Sequence, residues 1–254
     1  MERVRTGIPG FDELLGGGFL PQSANLVEGA PGTGKSTLGM QFIYHGIAAC
    51  GEPGLILTFE ELPEQYYRDA LSFGWDFRRM EREGKLRVVM SSPEVSKADL
   101  EKVGGRIERM IREIGVRRVL VDSLSHFERL AENAVELRSL AYGFVNSLRR
   151  EGMTVVLTRE SSALLGEDED NNDDMLAFLV DSYTLLRYVE IESAVQKALL
   201  VLKMRASNHD KGIRQFEITG RGIEVLAPFE GRDGILSGSP RRMLDSFRQA
   251  FVRR

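Results

Sequence analysis

A glycine-rich stretch near the amino terminus has the residue types and spacing of a phosphate-binding loop. Gly29 is followed by four residues and then by Gly34, Lys35 and Ser36, which matches the phosphate-loop pattern without a mismatch. Glycines let the backbone fold back so that its N–H groups converge on phosphate oxygens, while the lysine reaches the β- and γ-phosphates and the serine hydroxyl ligates Mg²⁺. A strand pattern precedes the loop and a helical pattern follows it, which disfavours a chance match. The sequence therefore predicts a site for a nucleoside triphosphate and Mg²⁺, with contacts from Pro31, Gly32, Thr33, Gly34, Lys35, Ser36 and Thr37.

An acidic residue, Asp122, closes an apolar run that is typical of a buried strand. Open α/β proteins bind ligands at the carboxyl ends of their strands, so this carboxylate is placed to hold Mg²⁺ through water beside Ser36. The alternative is an aspartate that only caps the next helix. Because the phosphate loop is present, the metal role is the favoured interpretation.

Two adjacent glutamates, Glu60 and Glu61, follow the strand-like run that ends at Phe59. A carboxylate in this position could act as general base for an attacking water molecule. The alternative is a solvated pair of carboxylates that the dipole of the next helix favours. The residues alone leave these two interpretations open.

A cationic segment, Lys203-Met204-Arg205, lies on a predicted strand near the carboxyl terminus. Two cations two residues apart on a strand project to the same side and could stabilise the charge that develops on a γ-phosphoryl group. If this strand lies away from its own phosphate loop, the site that it serves belongs to a neighbouring subunit. A cationic face on an edge strand is the alternative, and the spacing alone favours that alternative.

Aromatic and histidine side chains are less informative. Phe73 and Trp75 could pack in the core, or one of them could lie against an adenine ring. His45 is expected to be a packed side chain, and His126 follows the Asp122 strand, where it could sense the nucleotide. There is no Cys/His cluster suited to zinc.

Strand-like and helical segments alternate along the first two thirds of the chain, which predicts a mostly parallel twisted sheet with helices on both faces. The strand-like runs are Asn25–Glu28, Gly54–Phe59, Leu86–Met90, Arg118–Asp122 and Thr154–Thr158. Helices are predicted over Lys35–Ala49 and Pro63–Phe73, and by the helical spacing of Leu100, Val103, Ile107, Met110, Ile111 and Ile114 and of Leu137, Leu140, Ala141, Phe144 and Leu148.

The pattern changes after Glu160. An acidic loop, Glu167–Asp174, is followed by four strand-like runs without intervening helices, which predicts an antiparallel extension of the same sheet. These runs are Ser182–Ile191, Lys197–Lys203, Gln215–Ile218 and Ile223–Leu226. Without an internal repeat or a Pro/Gly/Ser-rich linker, we expect one α/β domain over residues 1–240 and a basic tail over 241–254.

Composition indicates an ordinary globular protein, with 42% hydrophobic and 28% charged residues among 254. The single cysteine, Cys50, cannot form an internal disulfide, and no signal peptide or membrane-spanning run is predicted, so a cytoplasmic location is expected. The formal net charge of −4 gives no global attraction to nucleic acid.

These segments together resemble the KaiC family of RecA-like P-loop ATPases over nearly the whole chain. The resemblance is carried by Thr6–Asp12, the glycine loop, Thr58–Glu61, Ser72–Trp75, Val121–Ser123, Lys203–Lys211 and Ser237–Pro240. Within the family it is greater to the second half of the tandem clock proteins, because of the Lys-Met-Arg and His-Asp-Lys segments.

The resemblance implies roles that spacing alone does not establish. Glu60 and Glu61 match the family's paired catalytic acids, with Glu60 as the base and a neighbour of Mg²⁺. Lys203 and Arg205 match cations that reach the γ-phosphate of the next subunit, and Lys35 completes the catalytic set. Further nucleotide contacts are implied for Phe73, Lys197, Met204, Ser207, His209 and Lys211.

The resemblance also predicts what the chain does and does not share with its relatives. We expect an ATPase that binds ATP and Mg²⁺ between the subunits of a homo-oligomeric ring, expected to be hexameric, and switches conformation for an unidentified protein partner. Ala177 and Phe178 replace the Ser-Thr pair that the clock proteins phosphorylate, so self-phosphorylation at these positions is excluded. The alternatives are a recombinase-like protein that coats single-stranded DNA, which the acidic loop disfavours, and a protein kinase that acts on a partner.

Overall fold

A computed structural model describes residues 2–101, 105–161, 176–229, 232–235 and 241–242. The helices are α1 (Phe11–Leu14), α2 (Lys35–Cys50), α3 (Pro63–Ser72), α4 (Phe77–Arg82), α5 (Pro93–Glu101), α6 (Arg106–Ile114), α7 (Ser125–Glu128) and α8 (Ala134–Arg150). The strands are β1 (Ala24–Gly29), β2 (Gly54–Thr58), β3 (Leu86–Met90), β4 (Arg118–Asp122), β5 (Thr154–Glu160), β6 (Ser182–Ile191), β7 (Ala194–Met204), β8 (Arg214–Thr219), β9 (Gly222–Pro228), β10 (Arg232–Asp233) and β11 (Arg241–Arg242). The acidic loop 167–174, the segment 237–240 and the tail beyond Arg242 lie outside the described residues.

Nine strands form one sheet in the order β3-β2-β4-β5-β1-β6-β7-β8-β9, and β10 pairs with β11 separately. The strands from β3 to β6 in this order are parallel, while β7, β8 and β9 continue the sheet in antiparallel pairing. The phosphate loop therefore follows a central strand, flanked by β5 and β6. This arrangement confirms the predicted fold class.

Alternation along the central strands divides the apolar side chains between two cores. In β2, Leu55 and Leu57 face one side of the sheet, whereas Ile56 faces the other. The first side packs against α6, α7 and α8, and the second packs against α1, α2 and α3. Because successive side chains of a strand point to opposite faces, a strand buried on both faces is apolar throughout.

The strand β6 differs from the expectation that all four final runs are antiparallel. It pairs in parallel with β1, and antiparallel pairing begins only with β7. A parallel connection requires a crossover of about a dozen residues or more, and residues 161–181 supply that length without a helical pattern that the sequence could reveal.

The helical periodicity between Leu100 and Ile114 is divided between two helices. The α5 helix ends at Glu101, and α6 begins at Arg106 with Gly105 as its N-cap residue. The Asp99 carboxylate accepts hydrogen bonds from the backbone N–H groups of Arg106 and Ile107, so it caps the new helix.

No helix in the described parts of the chain combines the length and apolar character needed to cross a bilayer.

Candidate nucleotide site

The loop between β1 and α2 has the backbone conformation that its glycines predict. Gly32 and Gly34 have φ angles of 77° and 110°, which side-chain-bearing residues rarely adopt. A Cβ atom on Gly34 would lie 2.9 Å from the Ile218 Cδ1 atom. Gly34 is also the N-cap residue of α2, so the positive end of that helix dipole lies at the loop.

The Lys35 ammonium is suited to hold a phosphate. Its side chain is buried, with 7% of the residue exposed, and the Nζ atom donates to the Ala30 carbonyl at 3.1 Å. Burial lowers the pKa of Lys35, against the opposing effect of Glu160, Asp122 and Glu28. An ammonium has three donors, so this contact leaves two of them for phosphate oxygens.

A pocket of about 240 Å³ lies over the phosphate loop at the carboxyl ends of the strands. Four carboxylates and the Lys35 ammonium face it, together with hydroxyl groups. The described residues that line it are Pro31, Gly32, Lys35, Ser36, Thr58, Glu60, Glu61, Tyr66, Asp122, Ser123 and Glu160. The structure thus brings together the loop, Asp122 and both glutamates from separate strands.

The Asp122 carboxylate is held by two hydroxyl groups. Tyr66 donates to its Oδ2 atom at 2.7 Å, and the Thr158 hydroxyl donates to its Oδ1 atom. Burial, and then the Asp122 charge, raise the pKa of Tyr66 well above its ordinary value. Tyr66 is consequently a neutral donor toward Asp122.

The two glutamates lie in a turn that Thr58 organises. The Thr58 hydroxyl accepts from the backbone N–H groups of Glu60 at 3.4 Å and Glu61 at 3.1 Å, and it donates to the Glu61 carbonyl at 3.0 Å. The Glu60 side chain is exposed, and its Oε2 atom lies 3.3 Å from His126 Nε2. Burial and the neighbouring carboxylates, Asp122 first among them, raise the pKa of Glu61. The two acids therefore have different surroundings within one turn.

The oxygen donors of this pocket fit Mg²⁺ when it arrives with a nucleotide. Ser36, Asp122 and Glu60, the three predicted metal ligands, line the same cavity and supply the hard oxygen atoms that Mg²⁺ prefers. Within the described residues no group of three or more His, Cys, Asp or Glu side chains could hold a metal ion. Phosphate oxygens would have to complete the coordination, as is usual for Mg²⁺ in nucleotide sites.

A second cavity, of about 340 Å³, adjoins the loop on the side of α3. Thr37 and Phe73 line it together with Ile218. The Phe73 ring is half-buried against Trp75, with ring centroids 4.8 Å apart, whereas Trp75 itself lies in the core. Of the two aromatic candidates, Phe73 is thus the one that an adenine ring could contact.

Lys197 lies at the chain's own phosphate loop. Its Nζ atom donates to the Gly32 carbonyl at 2.8 Å and lies 5.5 Å from the centroid of the Tyr188 ring. Lys197 and Tyr188 are cross-strand partners in β7 and β6. The resemblance implied a nucleotide contact for Lys197, and its ammonium lies beside the phosphate loop of its own chain.

Lys203 and Arg205 lie at the other end of the sheet. Lys203 pairs with Tyr183 of β6, which pairs with Leu26 of β1, three residues before Gly29. At about 3.3 Å per residue and 4.8 Å per strand, they are roughly 10 Å from the loop along the strands and a further 10 Å across them. They are therefore out of reach of this chain's own γ-phosphate position.

A short turn before β6 holds both cations. Lys203 Nζ donates to the carbonyls of Ala177 at 2.6 Å and Val180 at 2.8 Å. Arg205 donates to the Phe178 carbonyl at 2.9 Å and lies 3.6 Å from the Asp181 carboxylate, while remaining half-exposed. The two cations are thus presented together on one surface.

The remaining predicted contacts lie near this second surface and outside both cavities. Met204 and His209 are buried, and the His209 Nε2 atom is 2.9 Å from the Val201 carbonyl oxygen. Ser207 is half-buried and Lys211 is exposed. The contacts of these residues with a nucleotide therefore stay predictions.

Sequence reasoning missed Thr58, Tyr66, Thr158 and Glu160. Thr58, Thr158 and Glu160 are on β2 and β5, at the same edge of the sheet as the loop, which parallel strand ends bring together. That rule could have identified them as candidates. Tyr66 is on α3 and carries no such signal.

Comparisons with known proteins identify the family of the chain. A family model described as the KaiC ATPase matches residues 4–230. The circadian clock protein KaiC3 of Synechocystis sp. is 38% identical over 238 residues, which cover 94% of this chain and 46% of that protein. The circadian clock oscillator protein KaiC of Thermostichus vulcanus is 36% identical over 241 residues, or 95% of this chain and 46% of that protein. The chain spans about half the length of these relatives.

A solved structure shows the same fold over its whole length. The KaiC-like protein of the hyperthermophilic archaeon Pyrococcus horikoshii superposes with a TM-score of 0.77 at 33% identity. The match covers 89% of this chain and 99% of that one. The fold is therefore that of a single KaiC-like half-domain.

Proposed function

The chain belongs to the KaiC family of ATPases, and we propose that it hydrolyses ATP at sites shared by neighbouring subunits of a ring. The observation that carries this proposal is the separation of its functional groups. The loop, Asp122 and the glutamates lie at the carboxyl ends of the parallel strands, while Lys203 and Arg205 lie toward the opposite ends of these strands. A second copy, oriented head to tail, would supply the missing cations.

Nucleotide binding rests on the loop between β1 and α2. Its backbone N–H groups and the end of α2 surround the phosphates, and the Lys35 ammonium neutralises the β- and γ-phosphate charge. Mg²⁺, held by Ser36 and Asp122 with Glu60 nearby, would neutralise phosphate charge when bound. Phe73, which lines the second cavity beside the loop, would contact the base.

Hydrolysis requires a water molecule oriented toward the γ-phosphorus. Glu60 and Glu61 line the same pocket as the loop, so a carboxylate of this pair would orient the water and accept its proton. Thr58 fixes the turn that carries both acids. Lys203 and Arg205 of a neighbouring subunit would stabilise the charge that develops on the transferred phosphoryl group.

Ring assembly would let this hydrolysis act as a conformational switch. The carbonyls of the turn before β6 hold the two cations, so a γ-phosphate that draws them away would move this turn in the neighbouring subunit. The turn carries Ala177 and Phe178, and neither side chain has a hydroxyl group that could accept a phosphate.

Replacing both glutamates, Glu60→Gln with Glu61→Gln, should preserve ATP binding and slow turnover by about 100-fold or more, because a general base contributes roughly 10²–10⁴ in rate. Single-turnover hydrolysis and equilibrium binding of ATP would measure the two effects separately. Glu64→Gln, on the exposed face of α3, is the matched control. A double variant with the wild-type rate would remove the pair from catalysis.

Single-stranded DNA should bind weakly and without regard to nucleotide state. The chain has a net charge of −4, and its sequence over residues 167–174 is acidic, whereas binding of single strands relies on positively charged grooves. Filter binding of a labelled oligonucleotide with ATP, ADP or neither would measure this, with Lys35→Ala as the nucleotide-free control. Tight retention that depends on ATP would favour the recombinase alternative.

A further inference from the structure

We propose that Tyr66 is a positioning residue that orients the Asp122 carboxylate toward Mg²⁺, an inference that rests on the proposed function. Tyr66 is 2% exposed and lies in the core beneath the pocket, yet its hydroxyl group reaches the pocket lining. That hydroxyl group donates to Asp122 Oδ2 at 2.7 Å across 56 residues of sequence. A buried tyrosine hydroxyl group needs a hydrogen-bond partner, and here that partner is a carboxylate that lines the nucleotide pocket.

The two hydroxyl donors together fix the plane of the carboxylate. Tyr66 occupies one oxygen of Asp122 and Thr158 occupies the other, so rotation about the terminal side-chain torsion would break at least one bond. This torsion is intrinsically broad for aspartate. With the plane fixed, the remaining lone pairs of Asp122 stay directed at the pocket, where a metal-bound water would need them.

The same hydrogen bond connects α3 to the metal side of the site. Pro63 starts α3 directly after the glutamate turn, and Phe73 follows its end beside the second cavity. Tyr66 lies in the first half of this helix. The α3 helix runs from the glutamate turn to the second cavity. The Tyr66 hydrogen bond fastens this helix to the end of β4 at Asp122.

Removing the hydroxyl group alone, by Tyr66→Phe, should raise the divalent-metal concentration needed for half-saturation by about 10-fold or more, as the loss of an outer-shell partner typically does. Mn²⁺, detected by electron paramagnetic resonance in the presence of ADP, reports metal binding without turnover. ADP affinity in EDTA should stay within about twofold of wild type. The matched control is Tyr67→Phe, whose hydroxyl group contacts Glu81 outside the pocket.

An Asp122→Asn background provides the decisive comparison. If Tyr66 acts through the carboxylate, Tyr66→Phe should produce no further shift in that background. An equal shift in both backgrounds, or no shift in the wild-type background, would overturn the inference. A wild-type chain whose ADP complex takes up no divalent metal would instead overturn the proposed function, and the inference with it.

Discussion

Lys35→Ala should abolish ATP binding at concentrations where the wild-type chain is saturated. Among the described residues that line the main pocket, Lys35 is the cation and Glu60, Glu61, Asp122 and Glu160 are carboxylates. Without the ammonium, the phosphates would face these four carboxylates with no cationic side chain left among the described residues that line the pocket. A charge-assisted hydrogen bond contributes about 1.5–3 kcal/mol. With the added repulsion we expect a loss of affinity of at least about 100-fold.

Equilibrium dialysis with labelled ATP would measure this loss directly. Lys85→Ala is the matched control, since Lys85 is exposed and pairs with Glu83 far from the loop. Lys197→Ala is a useful intermediate, because its ammonium contacts the loop carbonyl of Gly32 without lining the main pocket. Unchanged affinity in Lys35→Ala would refute the assignment of the phosphate loop.

The sequence was sufficient to predict that the phosphate loop, Asp122 and the two glutamates lie together. The loop motif is local, since a strand, a glycine turn and a helix follow one another within about thirty residues. Asp122 and the glutamates each follow a strand, and parallel strands end at a common edge. The rule that places ligands at this edge therefore needs no knowledge of side-chain packing.

The contact between Tyr66 and Asp122 could not be predicted from the sequence, because it depends on side-chain packing. The periodic position of Tyr66 on α3 marks it as a core residue, and nothing local indicates that its hydroxyl group meets Asp122. That contact depends on how α3 packs against the sheet. Packing of this kind is set by the whole core rather than by neighbouring residues.

The direction of β7 relative to the phosphate loop also could not be predicted from the sequence. Lys197 and Lys203 are six residues apart on one strand, and spacing alone does not say which end lies beside the phosphate loop. β7 pairs with β6, which is parallel to β1. This pairing places Lys197 beside the loop and Lys203 toward the opposite end of the strands.

Arg205→Ala should leave each chain's own loop intact and still reduce hydrolysis by about 10³-fold, the lower range for an arginine finger. ATP affinity should change far less than in Lys35→Ala, because Arg205 lies far from the phosphate loop of its own chain, toward the opposite end of the strands. Steady-state phosphate release and dialysis would measure the two effects. Arg79→Ala is the control, an exposed arginine that pairs with Glu83 on α4.

Mixing Arg205→Ala with Lys35→Ala should restore hydrolysis if the cations act between subunits. In a mixed ring, an interface can combine the intact loop of an Arg205→Ala chain with the intact Arg205 of a Lys35→Ala chain. Neither variant alone can form such an interface. Because the single-variant rates are so low, even a small fraction of these interfaces would exceed the background. Gel filtration of differently tagged chains establishes that subunits exchange. If they exchange and no mixture exceeds the sum of its separate rates, the shared-site model fails, and Lys203 and Arg205 return to being a cationic surface at the sheet edge.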